Sequence, residues 1–291
     1  MIFLSVIPMQ RRENVRGLVT ACVLTALAVT AAVLFAAPDT RRRTLITGVV
    51  LLVLPLAGQL SGLATFDVSD TKGHQGDRVL FSKWNSFSRI GVYERQHGDW
   101  SLSRSYTGPR PDTRFMDIDS AASTPILHVA PDLSDAQYLR YELTALGYHL
   151  LADRAGFSAL VIGPGGGRDL VSALVFGAGR VDGVEINPII ADDVMRSQFR
   201  EFSGGIYDRP NVHVVVDDGR SFVRRSSDRY DVIQASLVDT WAATAAGAYT
   251  LTENSLYTVE AFTDYYDHLT DHGILTITRW VFDGLRLVSL A

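Results

Sequence analysis

The sequence predicts an α/β fold: a parallel sheet flanked by helices, preceded by a small β-rich lobe and a two-helix transmembrane hairpin. Three observations carry that expectation. From Gly156 onward, apolar strand-like runs alternate with helix-like segments, the pattern of a parallel sheet covered on both faces. The first of these runs, Ala159 to Ile162, ends in Gly163, Gly165, Gly166 and Gly167, and a helix-like stretch from Asp169 to Phe176 follows. Near the N-terminus, Gly17 to Ala37 and Thr44 to Ala64 are two runs of 21 residues without a charge.

Composition bounds the rest. A chain of 291 residues with 47% hydrophobic content has room for about two domains and can fill a core. A formal net charge of -5 implies no broad cationic face, which argues against a nucleic-acid binder. Cys22 is the single cysteine, so no disulfide and no cysteine metal cluster forms within one chain, which fits a reducing compartment.

Taken in order, the two charge-free runs come first. At about 1.5 Å per residue each reaches roughly 30 Å, the thickness of a bilayer core. Arg11, Arg12 and Arg16 precede the first run, as in a signal peptide, but its length and the second run behind it favour two helices, about 17–37 and 44–64. Pro55 is expected to kink the second. Arg41, Arg42 and Arg43 lie between the runs, against Arg11, Arg12, Arg16, Lys72, Arg78 and Lys83 outside them, which places both termini and the following domain in the cytoplasm, anchored to the lipid bilayer of an inner membrane. The membrane region is expected to span 1–66.

From Asp67 to about Asp77 the chain is polar and contains Gly73 and Gly76, a linker. Strand-like pieces follow at Arg78 to Lys83, Ser88 to Glu94 and Trp100 to Tyr106, then a loop carrying Pro109, Pro111 and Pro125. With the linker these make a β-rich lobe over 67–133. Ser134 to Ala152 has helical spacing, with Ser134 as its N-cap, and opens the α/β domain, 134–291. Strands are expected at Ala159 to Ile162, Val181 to Ile186, Val212 to Val216, Tyr230 to Ala235 and Gly273 to Thr278.

The chemistry collects at the carboxyl ends of those strands, where open parallel sheets bind ligands. The glycines allow a sharp bend and a close approach of backbone to ligand. Glu185, 22 residues after Gly163 and at the tip of the next strand, is placed to accept hydrogen bonds from ribose hydroxyls. Asp217 and Asp218 end the third strand, and Ser236 to Asp239 the fourth. The combination points to a nucleoside pocket. The histidines show no ligand spacing, so no metal is expected.

In order and spacing, VIGPGGGRD, VDGVEINP, VVVDDGRSF, YDVIQASLVDT and LYTVEAFTDYYDHLTDHGIL resemble the core of the spermidine synthase (polyamine aminopropyltransferase) family. That family shares the Rossmann-like fold of S-adenosylmethionine-dependent methyltransferases. The resemblance covers about Ser134 to Trp280, and with the two spans it is similar to the membrane-attached bacterial branch. It implies a nucleoside co-substrate, S-adenosylmethionine or decarboxylated S-adenosylmethionine. Gly163, Gly165, Gly166 and Gly167 would lie in the turn against its amino-acid or propylamine part, Glu185 on the ribose, Ile186 on the adenine face, and Asp217 with Asp218, before Gly219, near the adenine amino group. The acceptor would be a polyamine or another amine, with no nucleic acid involved; a homodimer is left open.

Two departures bear on the reaction. Gly166 stands where the family has an amine-contacting aspartate, and Ser236 where it has the aspartate that takes the proton from the amine. A serine hydroxyl does not replace a carboxylate as a base that typically contributes roughly 10²–10⁴-fold. Asp239, Glu253, Asp169 and Glu142 are the alternative acids; Asp239, Ser236 and Glu253 are the candidates nearest the reacting groups. Trp241 to Asn254, rich in Ala and Gly, is expected to be a mobile lid carrying Tyr249 and Glu253. The chain ends at Ala291, short of the last strands of the family fold, as a fragment or truncated product would. The expected function is aminopropyl transfer; a methyltransferase or a non-catalytic nucleoside-binding protein are the alternatives.

Overall fold

The computed structural model describes residues 9–61, 78–85, 88–94, 100–119, 122–151, 154–238 and 255–291, with the side chains of the first helix described from Cys22 onward. They fall into two units, Met1–Thr71 and Lys72–Ala291.

The first unit is a pair of helices, α1 (Met9–Phe35) and α2 (Arg41–Ser61). The chain reverses at Ala37, whose carbonyl accepts from the Thr40 and Arg41 amides at 3.0 Å each. The helices meet closely: a Cβ on Gly48 would stand 2.3 Å from Val29 Cγ1. Among the described residues, however, no helix is long and apolar enough to cross a membrane. This corrects the expected transmembrane hairpin and, with it, the expected multi-pass inner-membrane location. Freedom from charge is a weaker property than apolarity sustained over about 18 residues or more.

The second unit begins with an antiparallel sheet in the order β1 (Val79–Trp84), β2 (Arg89–Tyr93), β3 (Thr113–Ile118), β4 (Ala122–Leu127). Ile90, Val92, Met116, Ile126 and Leu127 are buried in its core. Two expectations are corrected here. The stretch from Trp100 to Tyr106 is irregular, with one isolated bridge from Leu102 to Glu142. The proline-bearing stretch, in contrast, contains β3 and β4. Pro125, opposite Phe115, is tolerated because β4 lies at the edge of its sheet, where a missing N–H costs no ladder bond.

Ser134 to His149 is not one helix. It comprises 3₁₀ segments Ser134–Tyr141 and Leu143–Ala145 and a single α turn, α3 (Leu146–His149). Glu142, extended at φ -85° and ψ 138°, breaks it in order to form the bridge to Leu102. The cap position is Leu133, in the left-handed region at φ 59°, rather than Ser134.

The α/β core carries five parallel strands in the order β7-β6-β5-β8-β9: β5 (Ser158–Ile162), β6 (Arg180–Glu185), β7 (Val212–Val216), β8 (Tyr230–Ser236) and β9 (Leu269–Thr278). All four strand pairs are parallel, as the alternation of runs predicts. The helical elements are α4 (Arg168–Val175), a π-helical segment Ile189–Gln198, α5 (Gly219–Arg225), α6 (Val259–Asp267) and α7 (Gly284–Leu290). The strand order reverses between β5 and β8, and a crevice at such a switch point is where open α/β sheets take ligands.

Candidate functional site

The glycine turn follows β5. Gly163, Gly165 and Gly167 have φ of 68°, 53° and 89°, left-handed values that side chains rarely adopt. Gly166 is constrained differently: a Cβ there would stand 1.9 Å from the Pro125 carbonyl oxygen. Strand β4 lies directly over the turn, bridging Ile126 to Gly167, while Thr124 Oγ1 accepts from the Gly166 amide at 3.2 Å. The β lobe therefore forms one wall of the turn. Its other attachments are Lys83 to Asp193 at 2.7 Å and a cluster in which Asn85 and Ser88 bond the Asn187 side chain at 2.8 and 3.0 Å.

Glu185, 4% exposed at the tip of β6, reaches back to this turn. One carboxylate oxygen accepts from the Gly165 amide at 3.1 Å, the other from the Asn187 amide at 3.0 Å. Burial pushes its pKa up to about 6, against the lowering effect of those backbone donors. Tyr207 closes the arrangement by donating from its hydroxyl to the Gly165 carbonyl at 2.7 Å; burial, then the nearby Glu185 charge, keep it neutral. Ile186 next to Glu185 is 39% exposed, so its side chain is not core packing.

At the end of β7, Asp217 pairs with Arg225. Asp218 caps α5, its Oδ1 accepting from the Ser221 amide at 2.8 Å. Gly219 starts the helix where a Cβ would come within 2.7 Å of Ile162 Cγ2. Both aspartates thus have structural partners, and of the two only Asp218 keeps an oxygen, Oδ2, without a partner among the described residues.

Ser236 ends β8 beside the glycine turn, since Ile162 pairs with Ala235. Its Oγ accepts from Gln234 Nε2 at 3.0 Å. Asp169 is buried against Arg168 at 3.4 Å, and Glu142 is buried and bonded by Ser101 Oγ. Neither is an open base. Asp239, Glu253 and the segment from Trp241 to Asn254 lie outside the described residues. No group of three or more metal-ligating side chains occurs among the described residues.

The structure thus brings together the glycine turn, Glu185, Ile186 and Ser236, and adds Thr124, Asn187, Tyr207 and Gln234. Asn187 could be found in the sequence as the residue two beyond the ribose-facing acid. Thr124 and Tyr207 carry no local signal, because they reach the turn only through the fold.

Residues 145–279 match the family model described as the spermine/spermidine synthase domain. Among curated relatives, a polyamine aminopropyltransferase of Thermoplasma volcanium is 28% identical over 140 residues, 48% of this chain and 47% of that protein. One from Korarchaeum cryptofilum is 26% identical over 116 residues, 40% of this chain and 33% of that protein. The matches span less than half the length of these relatives. Among solved structures, spermidine synthase from Thermotoga maritima is similar with a TM-score of 0.48 at 18% identity, covering 73% of this chain and 62% of that one. A spermidine synthase in complex with the transition-state analogue AdoDATO gives 0.47 at 19% identity, covering 73% and 63%.

Proposed function

We propose that this chain, whose residues 145–279 carry the features of a spermidine synthase-type core, is an aminopropyltransferase-like enzyme that binds decarboxylated S-adenosylmethionine or S-adenosylmethionine itself. The observation that carries the reading is the link from Glu185 to Gly165: a buried carboxylate held by backbone amides beside the glycine turn at the end of β5. Each of its oxygens has a second lone pair for a ribose hydroxyl. Ile186 would lie on the adenine face, the free oxygen of Asp218 would take the adenine amino group, and the turn from Gly163 to Gly167 would line the chain attached to sulfur.

In the reaction, a deprotonated amine attacks the carbon next to the sulfonium. An N–C bond forms, the C–S bond breaks with its electron pair passing to sulfur, and a neutral thioether leaves. Holding nucleophile and leaving group in line supplies most of the acceleration, because the sulfonium needs little help to depart. A primary amine of pKa near 10.4 is protonated at pH 7, and freeing it costs about 4–5 kcal/mol. Asp239 is assigned as the acid nearest the acceptor and Glu253 as a polar contact of the segment above it.

A methyltransferase reading has one observation in its favour: Gly166 and Ser236 leave no open carboxylate on the acceptor side among the described residues. Calorimetry separates the two, with S-adenosylmethionine, its decarboxylated analogue and methylthioadenosine titrated in turn. Preference for the decarboxylated compound supports aminopropyl transfer, and preference for the intact one methyl transfer. Silence with all three rules out both.

A further inference from the structure

The glycine turn lies at the carboxyl end of β5, and a cavity of about 270 Å³ lies at the other end of that strand. Its walls include Arg140, His149, Arg154 and the rings of Tyr148 and Phe176. Phe176 follows the last turn of α4, whose first turn begins at the glycines, and Arg154 precedes β5 by four residues. The Gly156 amide bonds the Gly177 carbonyl at 2.8 Å, which ties these two chain segments together. No residue of the proposed nucleoside site lines this cavity.

Both arginines are clamped in place. Arg140 donates from Nε to Gln137 Oε1 at 3.2 Å and from Nη2 to the Val175 carbonyl, with its guanidinium 4.6 Å from the Phe176 ring centroid. Arg154 donates from Nε to the Leu151 carbonyl at 3.4 Å and from Nη2 to the His272 carbonyl at 3.0 Å. These partners are neutral, so they fix the guanidinium groups without cancelling their charge. Asp231 is the charged neighbour: its Oδ1 stands 3.7 Å from Arg154 Nη1, an ion-pair distance too long for a hydrogen bond. The Nη1 group of each arginine thus keeps its hydrogens unbonded by any described residue. His149 holds the wall between them, donating from Nε2 to the Arg140 carbonyl at 2.8 Å, because a carbonyl only accepts, and meeting Phe176 edge-on at 4.7 Å.

We propose that this cavity is a second binding site and that it takes a phosphate group. Two fixed guanidinium groups, one on the 3₁₀ segment Ser134–Tyr141 and one before β5, suit a tetrahedral oxyanion that offers acceptor oxygens in several directions. Their clamping removes ordering costs that flexible side chains would meet on binding. The stacked rings of Tyr148 and Phe176, 5.5 Å apart, form an apolar wall for a small organic part beside the phosphate, in a volume near the lower end of ligand pockets of about 300–1,000 Å³. This site stands apart from the nucleoside reading.

Calorimetry of the full-length protein with inorganic phosphate, at an ionic strength held constant with sodium chloride, tests it. Saturable binding to one site is expected, weakened about tenfold or more in Arg140→Gln and in Arg154→Gln, since each loses hydrogen bonds to a charged group. Saturating methylthioadenosine should leave phosphate affinity unchanged, as the two sites occupy opposite ends of β5. Absent binding, binding untouched by both substitutions, or binding abolished by methylthioadenosine would overturn the proposal. So would binding that appears only in Asp153→Asn, whose acid lies outside the described residues, because the anion of the cavity would then be the chain's own. Should the arginine variants fail to fold, dicarbonyl modification of the wild type read by peptide mapping decides instead. Phosphate should protect Arg140 and Arg154 selectively, and equal protection of arginines along the chain would count against the site.

Discussion

Glu185 is where burial and the proposed ribose contact meet in a single side chain. Its pKa is raised from the ordinary 4.5 to about 6, so the fold disfavours the ionised form. The sign follows: this group adds no penalty below pH 4.5, and stability falls by about 2 kcal/mol as pH rises from there through 6. Ribose hydroxyls donate to the ionised carboxylate, so nucleoside affinity should move the other way, rising between pH 5 and 7 and then levelling. Calorimetric titrations across that range check this, and Glu185→Gln should weaken binding and flatten the profile. A wild-type affinity independent of pH would remove Glu185 from the ribose site. Gly166 makes a steric prediction. Gly166→Ala puts a methyl group 1.9 Å from the Pro125 carbonyl oxygen and should cost about 3 kcal/mol in chemical denaturation, since a backbone atom has to move.

Among the elements, α5 has a cap whose removal can be measured. Asp218→Ala loses the bond to the Ser221 amide and should destabilise the protein by about 1 kcal/mol, whereas Asp218→Asn, which keeps an acceptor, should lose far less. A weakened nucleoside affinity in both variants would assign the second carboxylate oxygen to the adenine. Runs such as Val212 to Val216 became strands with the expected boundaries, because β-branched valines suit the pleated, half-buried surface of a strand at the sheet edge, where Val212 and Val214 are buried. Pro125 concealed β4, since proline signals a loop unless the strand is known to be an edge, and edge position is a property of the whole sheet. Glu142 concealed the break after Tyr141, since its extended backbone is fixed by a partner, Leu102, forty residues earlier in the chain. At the site, the turn and Glu185 were readable from spacing. The roles of Thr124 and Gln234 were not, because each depends on a neighbour distant in sequence.

At the scale of the molecule, the β lobe and the α/β core act as one body around the turn. Strand β4 presses on Gly166 and Gly167, and Asn187 ties the tip of β6 to Asn85 and Ser88. Occupation of the turn should therefore stabilise both parts together, as ligand binding to the folded state raises the unfolding free energy by mass action. Under the proposed function, a nucleoside lies between the glycine turn and the tips of β6 and β7. A crystal structure of the full-length protein with methylthioadenosine tests it most directly. Both ribose hydroxyls should lie within about 3 Å of the Glu185 carboxylate, at ordinary hydrogen-bond distance. A ligand bound elsewhere, with Glu185 held only by the Gly165 and Asn187 amides, would contradict it.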